Sequence, residues 1–286
     1  MQVSLMTLDM FIRLAYHYFQ DHDMEEFREL YEEMMEMTAG AGIRMVEVTS
    51  RETRFLGFDY VKEVLERHQL SVGGYMHMDT PTEDPAFLDE ALSLAKKLGA
   101  DTLMLIPQWH DSLAGCEKEE IHALYAKRWR KVAADAREAG IRVVVEDTPN
   151  QKLHLCSAED MLVFLPLLPH AQLVYDSGNM LLAGEDPVDY IKKTSAWIGY
   201  VHLKDMREIP MNTRGGDLSR DGRKLTSAKH GTGLVPLDQV IHALKQLHYN
   251  GRWVIELSMD GSESYPEAIR AVQAYLRKYM DGEPVQ

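Results

Sequence analysis

The sequence predicts an α/β protein folded as a closed (β/α)8 barrel in a single domain, on three observations. Eight short apolar runs recur along the chain, segments of helical period separate them, and four helix-to-strand junctions share one grammar. Those junctions are Thr38-Ala-Gly-Ala-Gly-Ile-Arg-Met-Val-Glu-Val, Lys97-Leu-Gly-Ala-Asp-Thr-Leu-Met-Leu-Ile, Glu138-Ala-Gly-Ile-Arg-Val-Val-Val-Glu and Tyr249-Asn-Gly-Arg-Trp-Val-Ile-Glu-Leu. In each, glycine follows a helical pattern and precedes a β-branched or aliphatic run. Glycine accepts the left-handed geometry found just past a helix, and an uninterrupted apolar run suits a strand buried on both faces. Alternating βα units of this length fit a closed barrel better than a doubly wound sheet, and no glycine-rich phosphate fingerprint follows the first run.

The elements follow in order. A first strand is expected near residues 3–8, followed by an apolar but ambiguous stretch from Met10 to Phe19. Phe27, Leu30, Tyr31, Met34 and Thr38 then form a stripe at helical spacing that leads into a strand near 44–49. After a third strand at 72–78, Asp84-Pro85 reads as an N-cap and first-turn pair ahead of the stripe Leu88, Ala91, Leu92, Ala95 and Leu98. The fourth strand, 102–107, precedes a helix marked by Ile121, Leu124, Tyr125, Trp129, Val132 and Ala136. Strands at 142–147 and 172–176 are followed by the weakest helical patterns, although Asp186-Pro187 reads as a second capping pair. The seventh strand, 198–203, runs into a polar insertion at 206–232, long enough to suggest a lid or binding loop. Pro236 opens the stripe Leu237, Val240, Ile241 and Leu244, a strand lies at 253–257, and Tyr265, Ile269, Val272 and Leu276 form the last stripe. Methionines such as Met34, Met35 and Met37 sit at helical spacing and read as core filler.

Length and charge narrow the function classes. The 286 residues amount to one barrel of ~250 plus the insertion and terminal extensions. Lys and Arg number 31 against 45 Asp and Glu, and a net charge of −14 disfavours a nucleic-acid partner. The two cysteines, Cys116 and Cys156, rule out a disulfide scaffold and a Cys-based zinc site, and suit a reducing compartment. Met1-Gln-Val-Ser lacks the basic start of a signal peptide. The most apolar stretch, Met161 to Leu168, is broken by Pro166 and falls far short of the ~20 residues of a membrane span. The expectation is a cytoplasmic protein with no membrane partner, its oligomeric state left open.

In a barrel of this kind, chemistry sits at the C-terminal ends of the strands. Those ends read Val145-Glu146-Asp147, Tyr175-Asp176-Ser177, Val201-His202-Leu203-Lys204-Asp205 and Ile255-Glu256-Leu257. Each polar residue interrupts an apolar run, where an unpaired carboxylate is costly. Any one of them alone is also explained as an ordinary strand end satisfied by Lys, Arg or a helix N-terminus. Four on one rim read as a metal site of Glu146, Asp176, His202 and Glu256. Oxygen donors with a single imidazole suit a hard or borderline divalent ion, Mn2+ first, then Mg2+, Co2+ or Zn2+. Side-chain alternation puts Lys204 on the same face as His202, as a ligand for a substrate oxygen or as a salt-bridged lysine. His77, Gln108 and His110 follow the third and fourth strands as candidate substrate contacts. Arg207, Arg214 and His230 lie in or beside the insertion and could meet an anionic group, and Tyr16, Tyr18 and Phe19 could wall the pocket.

The pieces Val143-Val-Val-Glu-Asp-Thr, Leu173-Val-Tyr-Asp-Ser-Gly-Asn, Gly199-Tyr-Val-His-Leu-Lys-Asp and His230-Gly-Thr-Gly-Leu-Val-Pro-Leu-Asp, in this order and spacing, carry a family likeness. With Gly42-Ile-Arg-Met-Val-Glu-Val as a second strand, the chain resembles the sugar-phosphate isomerase/epimerase family of xylose isomerase-like TIM barrels. The likeness is clearest from residue 140 to 260. The resemblance implies a metal held by Glu146, Asp176, His202 and Glu256. It also implies that Glu146 and Glu256 move a proton through an enediolate of a keto-sugar. The chain departs from the ketose 3-epimerases of this group at three places. Asn179 stands where they have histidine, Lys152 where they have glutamate, and Arg207 follows the seventh-strand histidine by five residues instead of six, with Glu208 at the matching position. A metal-dependent lyase or dehydratase on a keto-sugar, keto-inositol or 3-keto-glycoside would begin with the same proton abstraction. An AP-endonuclease-like DNA repair enzyme would need more histidine ligands and a basic groove, which the charge opposes.

Overall fold

The chain is described by a computed structural model covering residues 2–8, 10–12, 14–15, 23–258 and 264–280. Eight parallel strands close on themselves in the order β1-β11-β7-β6-β5-β4-β3-β2. They are β1 (Gln2–Met6), β2 (Met45–Thr49), β3 (Ser71–Asp79), β4 (Thr102–Pro107), β5 (Arg142–Glu146), β6 (Gln172–Asp176), β7 (Ile198–Leu203) and β11 (Arg252–Ile255). All eight fall where the apolar runs predict them. Around them lie α1 (Met24–Gly40), α2 (Ser50–Leu56), α3 (Phe58–Arg67), α4 (Ala86–Lys97) and α5 (Lys118–Glu138). The ring is completed by α6 (Ala158–Phe164), α7 (Asn179–Leu182), α8 (Pro187–Thr194), α9 (Leu237–Gln246) and α10 (Tyr265–Met280). No helix among the described residues is long and apolar enough to cross a membrane.

Local chemistry explains these boundaries. Asp23 accepts from the backbone N–H groups of Glu25 and Glu26 at the start of α1, and Asp186 caps α8 ahead of Pro187. Thr49 with Glu52, and Ser157 with Asp160, form reciprocal capping boxes. The helices after β5 and β6 are weak in the sequence because they are short, at seven residues for α6 and eight for α8. Glycine takes a positive φ at three of the four junctions, Gly42, Gly99 and Gly140. At the fourth, His248 adopts the left-handed conformation with φ 55, and a Cβ on Gly251 would lie 2.5 Å from Tyr249 Oη.

The insertion carries structure of its own. Its strands β8 (Asp205–Glu208), β9 (Asp217–Leu218) and β10 (Lys224–Ala228) form a small antiparallel sheet in the order β8-β10-β9. Asp205 ties it to the barrel. Its carboxylate is fully buried and accepts from the N–H groups of Met206, Gly231, Gly233 and Val235 at 2.8 to 3.1 Å.

Two apolar layers hold the barrel. Helices pack on its outer face, where Trp129 is completely buried, edge-on to Phe164, and donates its Nε1–H to Asp79. Inside, Met6, Met76, Met104, Ile106, Val144, Val174, Tyr200 and Val254 form a separate cluster. This plug fills the barrel below the strand ends that carry chemistry.

Candidate metal centre

β5, β6, β7 and β11 are consecutive neighbours around the barrel. Val144, Val174, Tyr200 and Val254 point inward on them, so alternation turns Glu146, Asp176, His202 and Glu256 inward one step further on. All four side chains are buried, and one ligand atom from each lies within 4.8 Å of the others. Asp176 is oriented by the start of α7. The N–H groups of Gly178 and Asn179 donate to its Oδ1 at 2.7 and 3.0 Å, while Oδ2 is buried with no hydrogen-bond partner. His202 stands between two carboxylates, with Nδ1 3.0 Å from Glu146 Oε1 and Nε2 3.1 Å from Glu47 Oε2. Burial would lower the imidazole pKa, but Glu47 and Glu146 outweigh it and hold the pKa well above its ordinary value. Lys204 Nζ is ion-paired with Glu256 Oε1. The lysine backbone is clamped by Ser177, whose hydroxyl accepts from Lys204 N and donates to Lys204 O.

This donor set fits a divalent cation. Three carboxylates and one imidazole converge, with Lys204 as the cation paired to Glu256. A buried Oδ2 without a partner on Asp176 is an acceptor that a cation would satisfy. Asp147, behind Glu146, is a different group. Burial, with Asp176 and Glu146 nearby, pushes its carboxyl well above the usual range, and Asn179 Nδ2 donates to its Oδ1 at 3.3 Å.

The remaining predicted residues divide sharply. Gln108 lies partly exposed at the end of β4, two positions beyond the inward Ile106, and donates to the Pro107 carbonyl. Asn179 is buried against Asp147. His77, predicted as a substrate contact, lies outside the barrel. Met76 and its partly buried neighbour Met78 belong to the interior layer, and the intervening residue faces the helices, where His77 Nδ1 lies 3.2 Å from Ser50 Oγ. His110 caps the short turn at Asp111–Leu113. Arg207 is exposed on β8 and Arg214 is exposed in the insertion. His230 is buried, with Nε2 2.7 Å from the Leu203 carbonyl. Tyr16, Tyr18 and Phe19 lie outside the described residues.

A second grouping, His77, Asp79 and Glu83, also brings ligand atoms within 4.8 Å. Arg128 and Trp129 engage both Asp79 oxygens, and Arg54 pairs with Glu83, so two guanidiniums offset its two carboxylates. Those contacts form an ion-pair network on the outer face of β3, in which His77 Nε2 and Glu83 Oε2 are buried without a hydrogen-bond partner. Sequence reasoning assigned no role to Glu47 or Asp205. Glu47 left a signal, a charge inside the apolar run of β2.

Comparison with known proteins bears on the whole chain. A family model described as xylose isomerase-like TIM barrel matches residues 14–279. An uncharacterized protein of Escherichia coli K12, YihM, is 27% identical over 46% of this chain, and the match spans 37% of YihM. An inosose dehydratase of Clostridium perfringens is 24% identical over 87% of this chain and 89% of its own. Among solved structures, D-psicose 3-epimerase with D-tagatose from Clostridium cellulolyticum H10 superposes with a TM-score of 0.68. It is 15% identical, over 97% of this chain and 98% of that one. The IolI protein with a binding zinc atom gives a TM-score of 0.67 at 15% identity and full coverage of both chains. At such identity the structures speak for the fold alone.

Proposed function

The chain belongs to the xylose isomerase-like TIM barrel family, and on that footing we propose a divalent-metal-dependent isomerase or epimerase. It shifts a proton beside the carbonyl of a keto-sugar or related polyol. The observation that carries this reading is the convergence of Glu146, Asp176, His202 and Glu256 within 4.8 Å on the C-terminal rim. These four would hold the ion, with Mn2+ as first choice over Mg2+, Co2+ and Zn2+. A bound divalent ion there supplies Lewis-acid polarisation of a carbonyl oxygen. Glu146 and Glu256 each have a second carboxylate oxygen, able to take a proton from one substrate carbon and return it to the next. Lys204, held beside Glu256, presents an ammonium to a substrate oxygen, and Gln108 lies at the mouth as a further contact. The unpaired Cys116 and Cys156 suit action in the cytoplasm.

Elimination of water from a keto-inositol is a second reading, and two observations favour it. A relative aligned over 89% of its own length is an inosose dehydratase. An ammonium on Glu256 also gives the acid that a departing hydroxyl requires. Both readings begin with the same abstraction, so the product separates them. Turnover of a ketohexose or a keto-inositol with Mn2+ in D2O should place deuterium beside the carbonyl. Retained water identifies the isomerase or epimerase, and enone absorbance identifies the dehydratase. No exchange and no enone with either class would overturn the proposal. Glu256→Gln should lower turnover by roughly 10²–10⁴-fold while metal still binds, and retained turnover would remove Glu256 from its role.

A further inference from the structure

β2 departs from the rest of the barrel interior. Every other barrel strand contributes an apolar or aromatic side chain to the central plug. β2 instead sends in Glu47, which is fully buried with both carboxylate oxygens closed off from solvent. Its Oε2 lies 3.1 Å from His202 Nε2, an ion-pair distance without hydrogen-bond alignment, and the Tyr200 hydroxyl faces the same carboxylate, likewise without a formed hydrogen bond. A carboxylate so placed costs several kcal/mol unless a cation or proton donor faces it, and His202 is the group that does. The backbone is shaped to admit it. The register between β2 and β3 slips between Val46 and Glu47, leaving Gly73 as the extra residue. A Cβ on Gly74 would sit 2.9 Å from both Glu47 Oε1 and Tyr200 Oη. A bulge with two glycines opens the volume this side chain occupies.

We propose that Glu47 is the positioning residue of the metal centre: it accepts the Nε2 proton of His202 and so turns the Nδ1 lone pair toward Glu146, Asp176 and Glu256. A cation at Nδ1 would take the place of the proton there, leaving a neutral imidazole whose one N–H is on Nε2. A carboxylate behind a ligating histidine fixes its tautomer and ring plane. His202 has a carboxylate at each nitrogen, Glu146 in a hydrogen bond with Nδ1 at 3.0 Å and Glu47 Oε2 3.1 Å from Nε2 as the one carboxylate within reach of that N–H. Behind Glu47 the polar column continues. Tyr200 lies under the Arg252 guanidinium, 5.9 Å from its ring centre, and Arg252 donates to the Gly73 carbonyl and, at 3.0 Å, to both oxygens of Asp101. Asp101, Arg252, Tyr200, Glu47 and His202 thus run through the barrel from its N-terminal end to the candidate centre.

The inference rests on the metal-centre reading, and two measurements separate their fates. Titration calorimetry with Mn2+ on the wild type tests the centre itself. Absence of binding, repeated with Co2+ and Zn2+, would overturn the centre and Glu47's role together. If the wild type binds, Glu47→Leu should weaken binding by roughly 10- to 100-fold. Glu47→Gln, whose amide oxygen can still accept from Nε2, should show an intermediate loss. Equal affinity in all three proteins would overturn Glu47's role and leave the centre standing. Long-range 1H–15N correlation on 15N-histidine wild-type protein loaded with Zn2+ needs no substitution, and so decides the matter even if Glu47→Leu fails to fold. A protonated Nε2 and metal-bound Nδ1 on His202 are expected, and the opposite tautomer would overturn the assignment.

Discussion

Glu52 shows how much a single buried carboxylate can govern. It is fully buried and accepts from Thr7 Oγ1, Thr49 N and Tyr31 Oη, yet desolvation outweighs these bonds and raises its pKa to about 7. The folded state therefore keeps a proton that the unfolded chain releases near the ordinary value of 4.5. The stabilisation is full below pH 4.5 and is lost as pH rises through about 7, a span worth about 3 kcal/mol. Urea midpoints for the wild type and Glu52→Gln should converge at low pH and separate toward neutrality, with the variant the more stable; a pH-independent difference would refute this. At the same scale, the strand-end ligands were legible because each interrupts an apolar run at its C-terminal end. His77 faces away from the barrel because β3 alternates from Met76, which takes the inward position. Glu47 interrupts a run too, but its partner comes from β7, which only the closed sheet brings opposite it.

At the scale of elements, long periodic helices and buried strands were readable because burial on a fixed face imposes a period. The sheet inside the 206–232 insertion was not, since its strands are only two to five residues long and its buried apolar residues, Met206, Leu225 and Ala228, are too few to show a period. Leu218 is exposed on β9, and Arg207 and Glu208 are exposed on β8. Its anchorage is the Asp205 carboxylate, with Gly233 too close for any side chain, since a Cβ there would lie 2.3 Å from Asp205 Oδ1. Arg220 adds a second tie from the far turn, donating to Asp160 at 3.2 Å and, through its backbone N–H, to Leu182 O. Asp205→Ala would orphan the N–H groups of Gly231, Gly233 and Val235, at about 1–3 kcal/mol for each that stays buried. Limited proteolysis should then cut first within 206–232, well before the barrel, while Arg220→Ala should loosen only the far turn. Equal protease resistance of Asp205→Ala and the wild type would show that the sheet is held by other contacts.

For the molecule as a whole, the closed barrel follows from the recurrence of βα units, each of which cannot bury its strand alone. The site follows from the closure, which sets the ends of β5, β6, β7 and β11 side by side. That arrangement gathers three carboxylates in a chain already carrying a net charge of −14, so like-charge repulsion opposes folding at this rim. A divalent ion that binds only the folded state offsets the repulsion and stabilises by mass action, about 2.7 kcal/mol at a hundredfold excess over Kd. Thermal unfolding should therefore shift upward with added Mn2+, further with each tenfold increase in concentration, and return to its starting value with a chelator. Asp176→Ala removes the carboxylate that carries a buried, unpartnered oxygen, and should abolish the shift. It also relieves part of the repulsion, so the ion-free variant should unfold no earlier than the ion-free wild type by more than the loss of two hydrogen bonds from Gly178 and Asn179. An equal metal-dependent shift in both proteins would place the ion elsewhere on the surface, and a large loss of ion-free stability would make Asp176 a structural cap of α7 first and a ligand second.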